Sequence, residues 1–362
     1  MRLLYLSNDY TPHDHRFLSA LAGTEHEVFY ARLQRGPRQT EDRPVPAGIE
    51  QVRWAGGGKP FTWGDLPRLT LGLRQVIRRV QPDLVHAGPI QTCGLLATLA
   101  GFRPRLVMSW GFDLMEDCER NAWWRNVTRF TLQRATFFTS DSQVTRERAV
   151  LFGMDPGRTV VFPWGVDLEH YAPSSVVRRS SSFTLFCNRS WEPRYGVDLL
   201  ARAFVQVARQ RDDVHLLLLG DGSQAGAIRK ILGGVSERVT FAGHIAQAHL
   251  PRFYHMADLY LSPAHIDGSS VSLLEAMACG LPCLVSDIPT NREWINAGEN
   301  GWLFPDGDVE ALTARIVQAV DQRKNLRRLG QAARRIAEAR ADWKKNFATL
   351  LETYERTVSL HA

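Results

Sequence analysis

Short runs of β-type residues alternate with helical patterns along the whole chain, and this alternation limits the fold more than any other feature. "RLLYLSND", "HEVFYARL", "EQVRWAG", "DLVHAGP", "RLVMSWG", "TFFTSD" and "TVVFPWG" fill the first half. "FTLFCNRS", "HLLLLGDG", "RVTFAGH", "DLYLSPA", "LPCLVSD" and "GWLFPDG" fill the second. Helical stretches such as Leu66–Val80, Val197–Gln210 and 310–320 separate most of them. Strands that alternate with helices build parallel sheets covered on both faces. Thirteen strands overload one open sheet, so an α/β protein with two doubly wound units is expected. A length of 362 residues agrees, because a single core rarely serves so long a chain.

The seam is expected at "HYAPSSVVRRSSS", residues 170–182, which is Ser-rich, holds a proline and has no period. Beyond Gly330 the pattern is helical to the last residues. With 44% hydrophobic and 23% charged residues the composition is that of a globular protein. A net charge of +6 suits an anionic ligand or an acidic membrane surface and falls short of a nucleic-acid binder. Cys93, Cys118, Cys187, Cys279 and Cys283 are too few and too scattered for a disulfide framework, and none forms a CxxC. Reduced core cysteines in a cytoplasmic protein are expected. "MRLLYLSNDY" is too short in its apolar part for a signal peptide, and no apolar run approaches the roughly 18 residues of a membrane span.

Ligands of open α/β sheets sit beyond the carboxyl ends of the strands. "HIDGSSVSLLEAMACG", residues 265–280, follows one such strand. A helix should start near Ser269 or Ser270, since Ser favours the N-cap, and should stop at Gly280 and Pro282. The first residues, Gly268, Ser269, Ser270 and Val271, would present N–H groups and partial positive charge, a natural seat for phosphate. Asp267 lies just outside, and Glu275 about 8 Å along the axis. Two acids straddling an anion site match ribose hydroxyls, a diphosphate and sugar hydroxyls in series. Taken alone, the stretch reads equally well as a Ser-capped structural helix with incidental acids. In "CNRSWEPRYGVDLLARAF", Arg189 and Arg194 flank a turn after a strand, which suits a diphosphate or a solvated basic loop. In "LLLLGDGSQAG", Gly220 and Gly222 would let the backbone approach a ligand.

Asp267-x7-Glu275 with "EAMACGLP", the Arg189…Arg194 loop, "PWGVDLEHY" and "GENGWLFPDGD" together resemble family 4 of the retaining glycosyltransferases, which have the GT-B fold. The likeness runs over nearly the whole chain and is strongest over 159–320. It implies two Rossmann-like domains facing across a cleft. The acceptor domain would be 1–170, joined by a final helix over 342–362, and the nucleotide-sugar domain 171–341. It implies that Glu275 holds the ribose, Asp267 the donor sugar, Arg189 and Arg194 the diphosphate, and backbone near His244 and Ile245 the base. The implied reaction moves a sugar from a UDP- or GDP-linked donor to a hydroxyl of a glycan or lipid-linked acceptor in surface polysaccharide or glycolipid synthesis. It would retain the anomeric configuration and use no metal or other cofactor. The family has Glu where this chain has Asp267 and Lys where it has Arg194, and both changes keep the charge. "NDYTPHDHRFL" lacks the family's glycine-rich first loop, and Trp110 in "SWGFDL" replaces a common His. Acceptor-side candidates are Asp9, His13, Asp14, His15 and Trp110. Asp113, whose loop matches the family's pattern, joins Arg189, Arg194, Asp267 and Glu275 as a catalytic candidate.

Other signals are weaker. "GDGSQAG" reads GxGxxxG and lacks the ribose-binding acid of a dinucleotide site. Asp306-Gly307-Asp308 is a DxD, better read as a helix cap at Asp308. "RNAWWRNVTRFTLQR" mixes Trp123 and Trp124 with Arg120, Arg125, Arg129 and Arg134, which suits a peripheral site on an anionic membrane. The plainer alternative has its tryptophans facing the sheet. The basic run over 323–345 lacks interleaved aromatics to stack on bases, its one aromatic being Trp343 near the end, so no nucleic-acid partner is expected. A nucleotide-sugar epimerase on the same fold and a non-catalytic glycan-binding scaffold are the competing functions.

Overall fold

The structure, a computed structural model, describes residues 1–34, 41–174 and 182–361. Its first parallel sheet contains β1 (Arg2–Asn8), β2 (Glu27–Leu33), β3 (Ile49–Gln51), β4 (Leu84–Ala87), β5 (Arg105–Met108), β6 (Phe137–Ser140) and β7 (Thr159–Val161). The second contains β8 (Phe183–Cys187), β9 (Val214–Leu219), β10 (Val239–Gly243), β11 (Leu259–Ser262), β12 (Cys283–Ser286) and β13 (Gly301–Phe304). Each expected run supplies one strand. The orders are β3-β2-β1-β4-β5-β6-β7 and β10-β9-β8-β11-β12-β13. In each sheet the chain starts centrally, winds to one edge, then returns past its first strand. The loops after β1 and β4, and after β8 and β11, therefore diverge at a switch point, where a doubly wound sheet leaves its ligand crevice.

The helices Leu66–Val80 and Val197–Gln210 have the expected bounds, and the third runs Val309–Asp321. Leu69, Leu73, Val76 and Val80 form the buried stripe of the first, at the spacing that puts them on one face. All five cysteines are free and buried. No helix among the described residues is long and apolar enough to cross a membrane.

The chain divides into two compact units, Met1–Phe162 with Phe347–Ala362, and Pro163–Asn346. Residues 175–181 of the expected seam lie outside the described residues. The division falls before that seam because 163–174 packs with the second unit. Tyr171 is buried in its core, and Arg334 Nη1 donates to the carbonyls of Tyr171 at 2.7 Å and Ala278 at 2.6 Å. Helix Trp343–Ser359 starts in the second unit, and its remainder belongs to the first. There Tyr354 is fully buried, and its hydroxyl lies 2.7 Å from His86 Nδ1 on β4.

Candidate active site

Within the second unit, the loops after β8 and β11 lie at the switch point. Arg189 follows β8 and its guanidinium is buried. Nη1 donates to Ser270 Oγ at 2.6 Å and Ser272 Oγ at 2.9 Å, and Nη2 is 2.6 Å from Asp267 Oδ2. The Tyr195 ring lies under the guanidinium, 4.3 Å from its carbon. Nε is buried with no hydrogen-bond partner among the described residues. Burial is the largest influence on the Arg189 guanidinium and works against its charge, but Asp267 together with Tyr195, Tyr260 and Cys187 holds its pKa above the ordinary value. Burial raises the Asp267 carboxyl, with Arg189 pulling the other way.

Gly220 and Gly222 give this loop its seat. A Cβ at Gly222 would lie 2.6 Å from the Trp191 carbonyl oxygen, and one at Gly220, whose φ is +94°, 3.0 Å from that of Arg189. The close approach these glycines permit is thus to the backbone of the arginine loop, where the sequence suggested a ligand.

Helix Val271–Ala278 starts where expected, with Ser270 at its N-cap position. The hydroxyl does not cap it, however, because it is drawn to Arg189. Ser269 Oγ accepts from Trp294 Nε1 at 3.2 Å. The Ser270 hydroxyl thus does not fold back over the first-turn N–H groups, and a helix start of this kind is an anion seat. Glu275, at the fifth helical position, is buried, and its Oε2 accepts from Tyr254 Oη at 2.7 Å. Asn188 Nδ2 donates to the same Tyr254 oxygen at 2.9 Å, and Tyr260 Oη donates to Ser272 Oγ at 2.8 Å. Burial first, and then the Glu275 charge, keep the Tyr254 phenol protonated well past its usual range. No motif in the sequence singles out Asn188, Tyr254, Tyr260 or Ser272.

The structure thus gathers Arg189, Asp267, Ser270 and Glu275. Arg194 shares the loop, with its carbonyl accepting from His265 N at 2.9 Å. His244 is exposed and Ile245 half-buried, beyond the end of the edge strand β10. Asp306 reaches His265 Nδ1 at 2.6 Å, while Asp308 caps helix Val309–Asp321 by accepting from Ala311 N at 2.9 Å. No group of three or more His, Cys, Asp or Glu that could hold a metal ion occurs among the described residues.

In the first unit, the loop after β1 holds Asp9, the helix Pro12–Ala22 that follows holds His13, Asp14 and His15, and the loop after β5 holds Trp110. Asp9 and Tyr10 both have positive φ, 60° and 59°, a strained choice for non-glycine residues. Tyr10 Oη lies 2.7 Å from His15 Nδ1 and donates to the Pro44 carbonyl at 3.0 Å. His13 and Trp110 meet edge to face at 6.2 Å. Asp14 is fully buried and closes a capping box with Thr11, so it braces its helix. Asp113 is also buried. Its Oδ1 accepts from Ser109 Oγ at 2.6 Å and Trp110 N at 3.2 Å, and its Oδ2 from Ile90 N at 3.1 Å. Both oxygens tie protein loops together, and the side chain has no exposed surface. Burial lifts both carboxyls to about 6. Helix Ala122–Leu132 buries Val127, Thr128, Thr131 and Leu132. Its tryptophans point elsewhere. Trp123 is 56% exposed, and both Trp123 and Trp124 meet the Trp63 ring edge to face, at 6.0 and 5.5 Å. The reading that turned them toward the sheet is overturned.

Two family models match most of the chain. The model for "Glycosyltransferase Family 4" matches residues 13–170, and that for "Glycosyl transferases group 1" matches 182–322. The chain belongs to glycosyltransferase family 4. Among curated relatives of this glycosyltransferase, the GDP-mannose-dependent alpha-(1-6)-phosphatidylinositol monomannoside mannosyltransferase of Mycolicibacterium smegmatis is 26% identical over 97% of each chain. The phosphatidyl-myo-inositol mannosyltransferase of Mycobacterium leprae is 33% identical over 54% of this chain and 53% of its own. Among solved structures, sucrose-phosphate synthase from Thermosynechococcus elongatus superposes with a TM-score of 0.83 at 19% identity, covering 99% of this chain and 100% of its own. Anabaena HepE in complex with UDP and glucose gives 0.80 at 19%, covering 98% and 99%. The glycosyltransferase has the GT-B fold.

Proposed function

We propose that this glycosyltransferase moves a hexose from a nucleotide diphosphate sugar to a lipid-linked or glycan hydroxyl, retaining the anomeric configuration and needing no metal. The site that would take the donor is the one built around Arg189. The observation that carries the reading is this buried guanidinium, held by Asp267 and by the Ser270 hydroxyl at a helix start, with one nitrogen unpartnered. A diphosphate there meets a fork of donors and helix-start N–H groups. Breaking the anomeric C–O bond gathers negative charge on the diphosphate, and these preorganised donors stabilise it. Asp267 and Glu275 would accept from the donor's hydroxyls.

GDP-mannose is the first donor to test and a phosphatidylinositol glycolipid the first acceptor, from the names of the relatives. A lipid acceptor suits a cytoplasmic enzyme lying on the inner face of a membrane through Trp63, Trp123 and the neighbouring arginines. Thermal-shift screening against GDP, UDP and ADP identifies the base. A nucleotide at 100 times its dissociation constant should stabilise by about 2.7 kcal/mol. Arg189→Ala should lower transfer on the order of 10²–10³-fold. Normal turnover by folded Arg189→Ala and Glu275→Ala proteins would end the reading. An epimerase would instead need no acceptor and return a sugar altered at another carbon, which product analysis detects.

A further inference from the structure

Tyr254 sits where the two halves of the donor site meet. Its ring is buried and wedged edge-on against Phe186 at 4.9 Å and Tyr171 at 6.0 Å, so the hydroxyl has little freedom. Asn188 Nδ2 donates to the phenol oxygen at 2.9 Å, leaving the one phenol proton to be given away. Two acceptors lie within reach, Glu275 Oε2 at 2.7 Å and the Ser272 carbonyl at 3.1 Å. The nearer, charged acceptor forms the stronger bond. A tyrosine that only fills a core needs one partner for its hydroxyl. This one has three, on the loop of Arg189 and on the helix of Glu275.

We propose that Tyr254 is a positioning residue that fixes the Glu275 carboxylate, and thereby sets how strongly the enzyme demands the ribose hydroxyls of its donor. The proposal rests on the reading of Glu275 as the ribose-binding acid. Asn188, next to Arg189 in sequence, ties that acid to the diphosphate loop through a single oxygen.

The test is calorimetric binding of GDP and 2′,3′-dideoxy-GDP, or the uridine pair if UDP binds more tightly. Wild type, Tyr254→Phe, Asn188→Ala and Glu275→Gln are compared, each checked for a native melting transition. Hydroxyls bonded to a buried carboxylate should give wild type a preference for the ribonucleotide of about tenfold or more. Tyr254→Phe should bring it within about threefold, by weakening the ribonucleotide while the dideoxy compound binds as before. Asn188→Ala should move it the same way by less, and decides the matter if Tyr254→Phe does not fold. An unchanged preference in the variants overturns the proposal, as does an equal loss for both nucleotides, which marks a purely structural tyrosine. If wild type shows no preference, or Glu275→Gln keeps it, the reading of Glu275 itself fails.

Discussion

Arg189 is held by a carboxylate and two hydroxyls, a geometry that needs a planar fork. Lysine keeps the charge but offers a single point of donation. Arg189→Lys should therefore raise the donor KM at least tenfold while leaving the melting temperature within a few degrees, measured by steady-state kinetics and thermal denaturation. Asp113 has a different chemistry. Its buried carboxyl titrates near 6, above the ordinary value of 3.8, so the folded state binds the proton more tightly than the unfolded chain. Its contribution to stability is full below about pH 4 and is lost as pH rises through 6. Urea unfolding of wild type and Asp113→Asn from pH 3 to 8 should show their difference changing across that window by up to about 3 kcal/mol, and level above it. A flat difference would mean that the Asp113 carboxyl binds its proton equally well in the folded and unfolded chains.

Two helix starts in the second unit carry side-chain oxygens at the N-cap, and they should respond differently to alanine. Asp308 bonds the N–H of Ala311, so Asp308→Ala should cost about 1 kcal/mol and leave donor binding alone. The Ser270 hydroxyl is given to Arg189, so Ser270→Ala should weaken donor binding with a smaller loss of stability. Chemical denaturation with nucleotide titration separates the two effects. In the first unit, Trp63→Ala and Trp123→Ala should reduce co-sedimentation with vesicles containing anionic lipid, and binding to neither charged nor neutral vesicles removes the membrane surface. Helix and strand positions were legible because each depends on a local period. That Arg189 and Asp267 follow strands, and that Glu275 lies inside the next helix, was legible from the same periods. Which way Trp123 faces depends on Trp63, far off in sequence, and Asp113's burial depends on Ser109 and Ile90 closing over it. The Asn188–Tyr254–Glu275 link joins three separate segments, and nothing local announces it.

At the scale of the molecule, the boundary between units is set by packing, which a Ser-rich stretch does not report. "PWGVDLEHY" looks like a lead-in to a linker, yet Tyr171 is core to the second unit. The first unit is completed by 347–362, with Tyr354 and Leu350 fully buried. Removing those residues should expose apolar surface in the first unit and leave nucleotide binding by the second intact, read by calorimetric melting with and without GDP. Protein domains generally fold as units and in the order of synthesis. In this chain β1 leaves the ribosome before β8, but its sheet still lacks a covering segment while everything from Pro163 to Asn346 is being made. The second unit can finish early, and the unit begun before it must wait, its apolar flank uncovered, for the turns of helix from Phe347 onward to arrive.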